Sequence, residues 1–209
     1  MIVEVFPSGP VTTNALLIGC LKTGIGAFVD PASGSAKKLL QAAKNRFTIQ
    51  AILLTHSHWD HFGDAAYLKQ KENIPLYVHA ADAPNLSDPG SDGVPLPIPI
   101  EKVFPDHLMQ GTDSLHIGEI MLQVIHTPGH SPGSVCFYSQ THRILLSGDT
   151  LFKGSIGILS LPTADKQAMW QSLNKLSHLP PETRVYPGHG PITCLGDETW
   201  LPSAEEIFS

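Results

Sequence analysis

The sequence predicts a mixed α/β fold in which two β-sheets pack face to face and helices cover the outside. Short apolar runs of strand length, followed by a helical segment, occur in the first half of the chain, and the same order returns in the second half. Hydrophobic residues make up 42% of the 209 positions, which is enough for a sizeable core. We expect residues 1–209 to form one domain.

The first half of the chain is predicted to build one of the two sheets. Apolar, partly β-branched runs predict strands at residues 2–6, 14–20, 25–30, 50–55 and 76–78. Ser33 or Ser35 is expected to cap a helix that continues to about Phe47, and residues 61–72 have the composition of a second helix.

A proline-rich segment separates the two halves. Residues 84–106 contain six prolines and little periodicity, so we expect a long surface loop. It could also cover a cleft as an apolar wall through Leu96, Ile98 and Ile100. Beyond it we expect a hairpin formed by residues 115–117 and 120–125, and three further strands at residues 135–138, 144–146 and 185–186. A helix is expected at residues 164–178, and a short helical tail in the last twenty residues.

Composition argues against several classes of partner. The net charge is −6 and no basic run exists, so neither nucleic acid nor an anionic membrane surface is an expected partner. The sequence contains no stretch of 18 apolar residues, so no membrane span is predicted. The first residues lack the pattern of a secretory signal. Cys20, Cys136 and Cys194 are far apart, which indicates neither a disulfide framework nor a zinc finger. A cytoplasmic location is the expectation.

The segment Thr55-His56-Ser57-His58-Trp59-Asp60-His61 directly follows a predicted buried strand. In an extended segment, residues two apart point the same way, so His56 and His58 can face one metal ion. Asp60 and His61 lie where the chain turns into a helix and can face a neighbouring point. Imidazole and carboxylate ligands together suit zinc, iron or manganese. A solvated polar turn is the alternative, but four ligand-type residues in six positions favour a metal site.

Three more ligand candidates follow further predicted strands. His130 lies in Thr127-Pro128-Gly129-His130, Asp149 in Ser147-Gly148-Asp149-Thr150, and His189 in Pro187-Gly188-His189-Gly190. Each site repeats one pattern, in which a strand leads into a glycine-containing turn and then a ligand. A glycine beside a ligand allows the backbone to approach a crowded centre.

In their order along the chain, these motifs resemble those of the metallo-β-lactamase superfamily, and the chain is most similar to the short, single-domain glyoxalase II-like hydrolases. The resemblance runs from Asn14 to about Gly196. It implies an αββα sandwich with a binuclear centre, most simply two Zn²⁺ ions, with iron or manganese as alternatives. By position, it implies one ion on His56, His58 and His130, the other on Asp60, His61 and His189, and Asp149 as the bridge.

Two cations about 3.5–4 Å apart can ionise a shared water, and the metal-bound hydroxide would attack a substrate carbonyl. Asp60 would also steer that water. The expected partner is a small-molecule thioester or related acyl substrate, which makes the chain a hydroxyacylglutathione hydrolase-like enzyme. Lactones and lactams fit the same machinery. The same cluster would also serve a mononuclear iron enzyme of the persulfide dioxygenase type, a nuclease, or a non-catalytic metal-binding module.

The sequence departs from the glyoxalase II pattern after Asp149. Ile158 replaces a residue that is usually basic in the family, and Ser160 replaces an aspartate of short relatives. Glyoxalase II has a helical C-terminal domain that contacts glutathione, whereas twenty residues follow His189 here, so we do not expect the glutathione contacts of that domain. Lys153 and Tyr186 are the candidate substrate-binding residues, with a solvated lysine and a packed strand tyrosine as the alternatives.

Two further features lie next to His130 in the sequence. His126 is a candidate hydrogen-bond partner of the metal ligands. The segment Gly129-His130-Ser131-Pro132-Gly133 matches the G-x-S-x-G nucleophile elbow, but that motif needs a helix after the turn. The residues that follow predict a strand, so the match is interpreted as accidental.

Overall fold

The fold was determined as a computed structural model, which describes residues 1–208. The first sheet has the strand order β1-β2-β3-β4-β5-β6. Its strands are β1 (Ile2–Ser8), β2 (Thr13–Cys20), β3 (Ile25–Val29), β4 (Thr48–Leu53), β5 (Leu76–His79) and β6 (His107–Met109). The strands β1 to β3 pair antiparallel, and β3 to β6 pair parallel.

The second sheet has the order β12-β11-β10-β9-β8-β7. Its strands are β7 (Ser114–Ile117), β8 (Ile120–His126), β9 (Val135–Ser139), β10 (Ile144–Gly148), β11 (Arg184–Pro187) and β12 (Thr193–Cys194). Only β10 and β11 pair in parallel among these strands. The helices are α1 (Ala36–Ala43), α2 (Trp59–Phe62), α3 (Ala65–Glu72), α4 (Ala83–Ser87), α5 (Lys166–Ser177) and α6 (Ala204–Phe208), with 3₁₀ turns at Leu195–Asp197 and Leu201–Ser203.

Strict alternation along the strands produces the four layers. In β2, Leu16 and Ile18 point into the core between the two sheets, whereas Leu17 points to the opposite face, where it packs with Leu39 of α1. In β10, Leu146 faces the core between the sheets, while Leu145 points to the opposite face and packs against α5. The predicted αββα sandwich of the metallo-β-lactamase fold is therefore confirmed.

The predicted helix caps and lengths needed correction in two places. The Ser35 side chain makes no capping hydrogen bond, and the Asp64 carboxylate accepts one from the Ala36 amide at 2.7 Å instead. The helix ends at Ala43, because Asn45 adopts a left-handed conformation with φ +59°. The predicted helix over 61–72 is in fact α2 and α3. It breaks at Gly63, where a Cβ would collide with Ser33.

The proline-rich segment is more ordered than expected. It contains α4, whose Leu86 is fully buried, and Val103 donates its backbone amide to the Leu86 carbonyl at 2.9 Å. Ile100 packs against the core on the outer face of the first sheet. Among residues 1–208, no helix has both the length and the apolar character needed to cross a membrane.

Candidate metal centre

The His56–His61 segment follows β4 and continues into α2. His58 has extended backbone angles, φ −66° and ψ 143°, so it projects from an extended stretch that ends where α2 begins. Asp60 and His61 belong to the single turn of α2. The side chains therefore leave the chain in the two directions expected from the sequence. All four are buried: His56, His58, Asp60 and His61.

The remaining three candidates reach the same point from the second sheet. His130 lies in the turn after β8, Asp149 follows β10 directly, and His189 follows β11. A Cβ on Gly188 would collide with Asp149 Oδ1, so only glycine permits this approach. Gly148 adopts a positive φ of +49°, which aims Asp149 at the first sheet.

The seven candidate side chains come within contact distance of one another. Asp149 lies between the two groups, since its Oδ1 is 3.3 Å from His61 Nε2 and its Oδ2 is 3.5 Å from both His130 Nε2 and His189 Nε2. Asp60 Oδ2 is 3.2 Å from His189 Nε2 and 3.3 Å from His61 Nε2.

Three overlapping sets place their ligand atoms within 4.8 Å of one another: His56, His58 and His130; His56, His61 and Asp149; and Asp60, His61 and His189. The first and third sets match the two groups implied by the family resemblance. Asp149 contacts members of both, as a bridging ligand would.

The chemistry of this cluster fits cations. Within residues 1–208, His56 Nε2, His61 Nε2 and Asp149 Oδ1 are buried and make no hydrogen bond. Leaving a buried polar atom unpaired costs roughly 1–3 kcal/mol each, so three at one point require a compensating partner. A divalent cation satisfies imidazole and carboxylate lone pairs at once, and the donor set suits zinc, iron or manganese.

The electrostatics favour the protonation states that bind metals. Burial and the neighbouring histidines lower the pKa of His56 well below its usual value, and burial with His130 lowers the pKa of His58 to about 3. Both rings are thus neutral and free to donate a lone pair. Burial alone would raise the pKa of Asp60, but His61, His189 and a hydrogen bond from Thr13 lower it.

His61 behaves differently from the two histidines that precede it. Burial would lower its pKa, but Asp60, Asp149 and Asp30 raise it well above the usual value. The same carboxylates that attract a proton to this ring would attract a metal ion, so cation and proton compete for His61 Nε2.

A second layer of hydrogen bonds orients the imidazole rings. Asp30 Oδ2 lies 3.0 Å from His61 Nδ1 and accepts from Thr55 Oγ1 at 2.6 Å, while its Oδ1 accepts from the Thr55 amide at 2.7 Å. The backbone carbonyls of Ile158 and Val11 lie 2.9 and 3.2 Å from the Nδ1 atoms of His130 and His189. Each of these contacts places the proton on Nδ1 and leaves Nε2 free to face the cluster.

Sequence reasoning missed two buried carboxylates, Asp30 and Asp82. Asp30 directly follows β3 and precedes Pro31, which was a signal of the same strand-then-ligand kind that identified Asp149. Asp82 accepts hydrogen bonds from the amides of Ser57 and Gly133 and from Ser131 Oγ, at 2.6–2.8 Å. It thereby ties the two histidine-bearing turns together.

The positions of four more residues decide the remaining interpretations of the sequence. His126 does not support the cluster as expected, because its Nε2 bonds the Pro132 carbonyl at 2.9 Å and its ring stacks on His79. Tyr186 is 6% exposed, packs in the core between the sheets and lies outside the cavity lining, which is the position that the strand-packing alternative predicts. Lys153 is exposed and lies outside the residues that line the cavity at the centre.

Ser131 lies in a turn that leads into the strand β9, whereas a nucleophile elbow would lead into a helix.

A cavity of about 450 Å³ opens over the cluster. Its lining combines five of the seven candidate ligands with apolar side chains: Val11, His58, Trp59, Asp60, Val94, His130, Asp149, Phe152, Ile158, Leu161 and His189. The proline-rich segment contributes Val94, so the expected wall through Leu96, Ile98 and Ile100 was wrong in its residues.

Comparison with known proteins agrees with this geometry. A family model described as the metallo-beta-lactamase superfamily matches residues 8–189. The chain is 37% identical to the "Probable metallo-hydrolase YqgX" of Bacillus subtilis, covering 90% of this chain and 89% of that protein. It is 35% identical to a hydroxyacylglutathione hydrolase of Rhodospirillum rubrum, over 83% of this chain and 60% of that protein.

Two solved structures share the fold over nearly their full length. The BLEG-1 B3 metallo-beta-lactamase superposes with a TM-score of 0.88 at 37% identity, covering 94% of this chain and 96% of that one. TTHA1623, solved in a di-iron-bound form, gives 0.80 at 39% identity, covering 93% and 96%.

Proposed function

The chain belongs to the metallo-β-lactamase superfamily, and on that premise we propose that it is a binuclear metal-dependent hydrolase acting on a thioester carbonyl, of the hydroxyacylglutathione hydrolase type. The observation that carries the proposal is the convergence of seven histidine and aspartate side chains in which three buried ligand atoms lack a hydrogen bond among residues 1–208. Hydroxyacylglutathione hydrolase is also the function named for a relative at 35% identity.

Bound divalent cations would supply an ionised water at neutral pH and polarise the carbonyl oxygen. His56, His58 and His130 would hold one ion, Asp60, His61 and His189 the other, and Asp149 both. Zn²⁺ is the metal that we propose for both positions. Iron is the alternative, supported by the di-iron relative.

The residues of the chain have distinct tasks in this scheme. Thr13 Oγ1 donates to Asp60 Oδ2 at 2.6 Å, which fixes one carboxylate oxygen and aims the group at the cluster. Asp60 can then accept a hydrogen bond from the attacking water and orient it. Ser131 is the serine of the rejected elbow, and its hydroxyl is bonded to Asp82 and Ser134. Attack by water, without an acyl-serine, is therefore the route that the geometry supports.

Metal analysis and hydrolysis together test the proposal. We expect two equivalents of metal per chain in protein purified without chelators, loss of thioester hydrolysis after exhaustive chelation, and recovery with Zn²⁺. Activity that survives chelation and is lost to a serine-directed reagent would overturn the proposal.

A lactam is the second candidate substrate, because a B3 metallo-beta-lactamase is 37% identical over 94% of this chain. A cephalosporin assayed beside a thioester on the same metal-loaded preparation separates the two. Faster turnover of the cephalosporin would favour the lactamase, and one bound iron with O₂ uptake would favour a dioxygenase.

A further inference from the structure

The cavity over the metal centre carries apolar side chains on two sides of the ligand cluster. On the His189 side, the Val11 carbonyl contacts the imidazole and the Phe152 ring lies 5.9 Å from it, centroid to centroid. On the other side, the Ile158 carbonyl contacts His130. A substrate whose carbonyl reaches the cluster therefore meets apolar surface in both directions.

Two of these side chains are strongly exposed to solvent. Val11 is 49% exposed and Ile158 is 61% exposed, so both can contact a ligand directly. A single exposed aliphatic residue is ordinary, but Val11 and Ile158 line one cavity together with Trp59, Val94 and Leu161. A contiguous apolar lining at a reactive centre indicates an apolar ligand.

The cavity also lacks the charge that an anionic substrate would need. None of the lysines or arginines in the described part of the chain lines it, and the charged groups present are the candidate ligands themselves. Lys153, the nearest candidate in sequence, lies outside the lining. Away from the ligand cluster, where the lining is apolar, a carboxylate on the substrate would lose its hydration without an ion pair in return.

We propose that the thioester hydrolysed at this site has an uncharged, apolar acyl chain, so that the chain shares the chemistry of the hydroxyacylglutathione hydrolases but not their glutathione-borne hydroxyacyl substrate. The inference rests on the proposed thioester hydrolysis and adds the substrate class. The apolar lining binds the methylene groups of the acyl chain, and Ile158, at the rim of a lining that holds no lysine or arginine, offers no ion pair to an anionic thiol.

The test is a chain-length series on one uncharged thiol. Acetyl, butanoyl, hexanoyl and octanoyl thioesters of N-acetylcysteamine are compared with S-lactoylglutathione on the metal-loaded enzyme. Burying one methylene contributes up to about a fourfold gain, so kcat/KM is expected to rise about two- to fourfold per methylene until the cavity is filled. A flat series, or S-lactoylglutathione as the best substrate, would overturn the inference.

Substitution of Ile158 gives the matched comparison. Ile158→Lys is expected to lower kcat/KM for the octanoyl thioester by at least tenfold and to improve the relative rate with S-lactoylglutathione. The control is Leu21→Lys, which adds the same charge at a residue that is 69% exposed and outside the cavity lining, and should leave both rates unchanged. An Ile158→Lys variant with the wild-type preference would contradict the proposal.

A binding measurement separates the substrate class from the chemistry. The uncleavable S-octyl and S-methyl thioethers of N-acetylcysteamine are titrated calorimetrically into the protein, with the octyl compound expected to bind at least tenfold more tightly. If no thioester is hydrolysed while this difference holds, the proposed function fails and the apolar specificity stands. If every thioester is hydrolysed and the two thioethers bind equally, the specificity fails and the hydrolase stands.

Discussion

Replacing Asp30 by asparagine tests how the hydrogen-bonded layer around the cluster controls metal binding. Asp30 influences the metal site only through its neighbours, because its two oxygens accept from Thr55 and face His61 Nδ1 at 3.0 Å. In Asp30→Asn, the asparagine oxygen keeps the Thr55 amide bond, and its NH₂ group faces His61 Nδ1. A donor then meets a donor, so the imidazole must move its proton to Nε2, which is the atom that faces the ligand cluster.

The structure sets the expected magnitude. A protonated His61 Nε2 cannot bind a cation, so the ion held by Asp60, His61 and His189 should be weakened selectively. Loss of an outer hydrogen-bond partner typically costs 10–100-fold in metal affinity, which is about 1.4–2.7 kcal/mol. We therefore expect the weaker-bound equivalent to be lost first. Metal content should fall from two ions toward one when the variant is dialysed against a chelator that leaves the parent protein loaded.

Asp82→Asn provides the matched control. It removes the same charge at an equally buried site, but its partners are the Ser57 and Gly133 amides and the Ser131 hydroxyl, with no imidazole among them. Competition with a chromogenic chelator, read with thermal unfolding, distinguishes the two. Equal metal affinity in Asp30→Asn and the parent, or equal losses in both variants, would refute the reasoning.

Three further outcomes are expected. Asp149→Ala should lose metal as well as activity, and an unchanged metal content would remove the bridging role of Asp149. Gly188→Ala should disturb the site, since its Cβ would meet Asp149 Oδ1, and we expect a chelator to remove its metal at a concentration at least tenfold lower than for the parent protein. The control is Gly154→Ala, where the φ of +68° strains an alanine but the new Cβ meets no atom within 4 Å, so stability should fall without loss of metal. Burial and His126 lower the pKa of His79 to about 4, below the unfolded value near 6.5. Its contribution to the free energy of unfolding, at most roughly 3 kcal/mol, is therefore complete above pH 6.5 and lost as the pH falls through 4, and urea titrations of His79→Asn should show a flatter profile over that range.

The fold could be predicted from the sequence in segments where one pattern of apolar residues dominates. The alternating and continuous apolar runs located the strands, because each strand of the sandwich faces a core on one or both sides. The predicted start of α1 after Ser35 was correct, but its predicted end near Phe47 was wrong, and the capping hydrogen bond comes from Asp64, which lies 28 positions from Ala36. No local pattern contains that contact.

The candidate site could likewise be predicted only where its residues form a local sequence pattern. The strand-end pattern identified His56, His130, Asp149 and their partners, and the structure brings these side chains together, while their binding of metal ions stays a prediction. Asp30 was missed because its contact with His61 spans 31 positions and depends on the pairing of β3 with β4, which the sequence alone does not give. Alternation places Tyr186 on the core side of β11, and the sequence alone does not say which side of that strand faces the cavity.

The central claim is that two cations share this cluster, and anomalous diffraction from crystals of the metal-loaded protein measures that directly. The account predicts two anomalous peaks, one enclosed by His56, His58 and His130 and the other by Asp60, His61 and His189, with Asp149 contacting both. A single peak on one set, or no peak at the cluster at full metal loading, would contradict it.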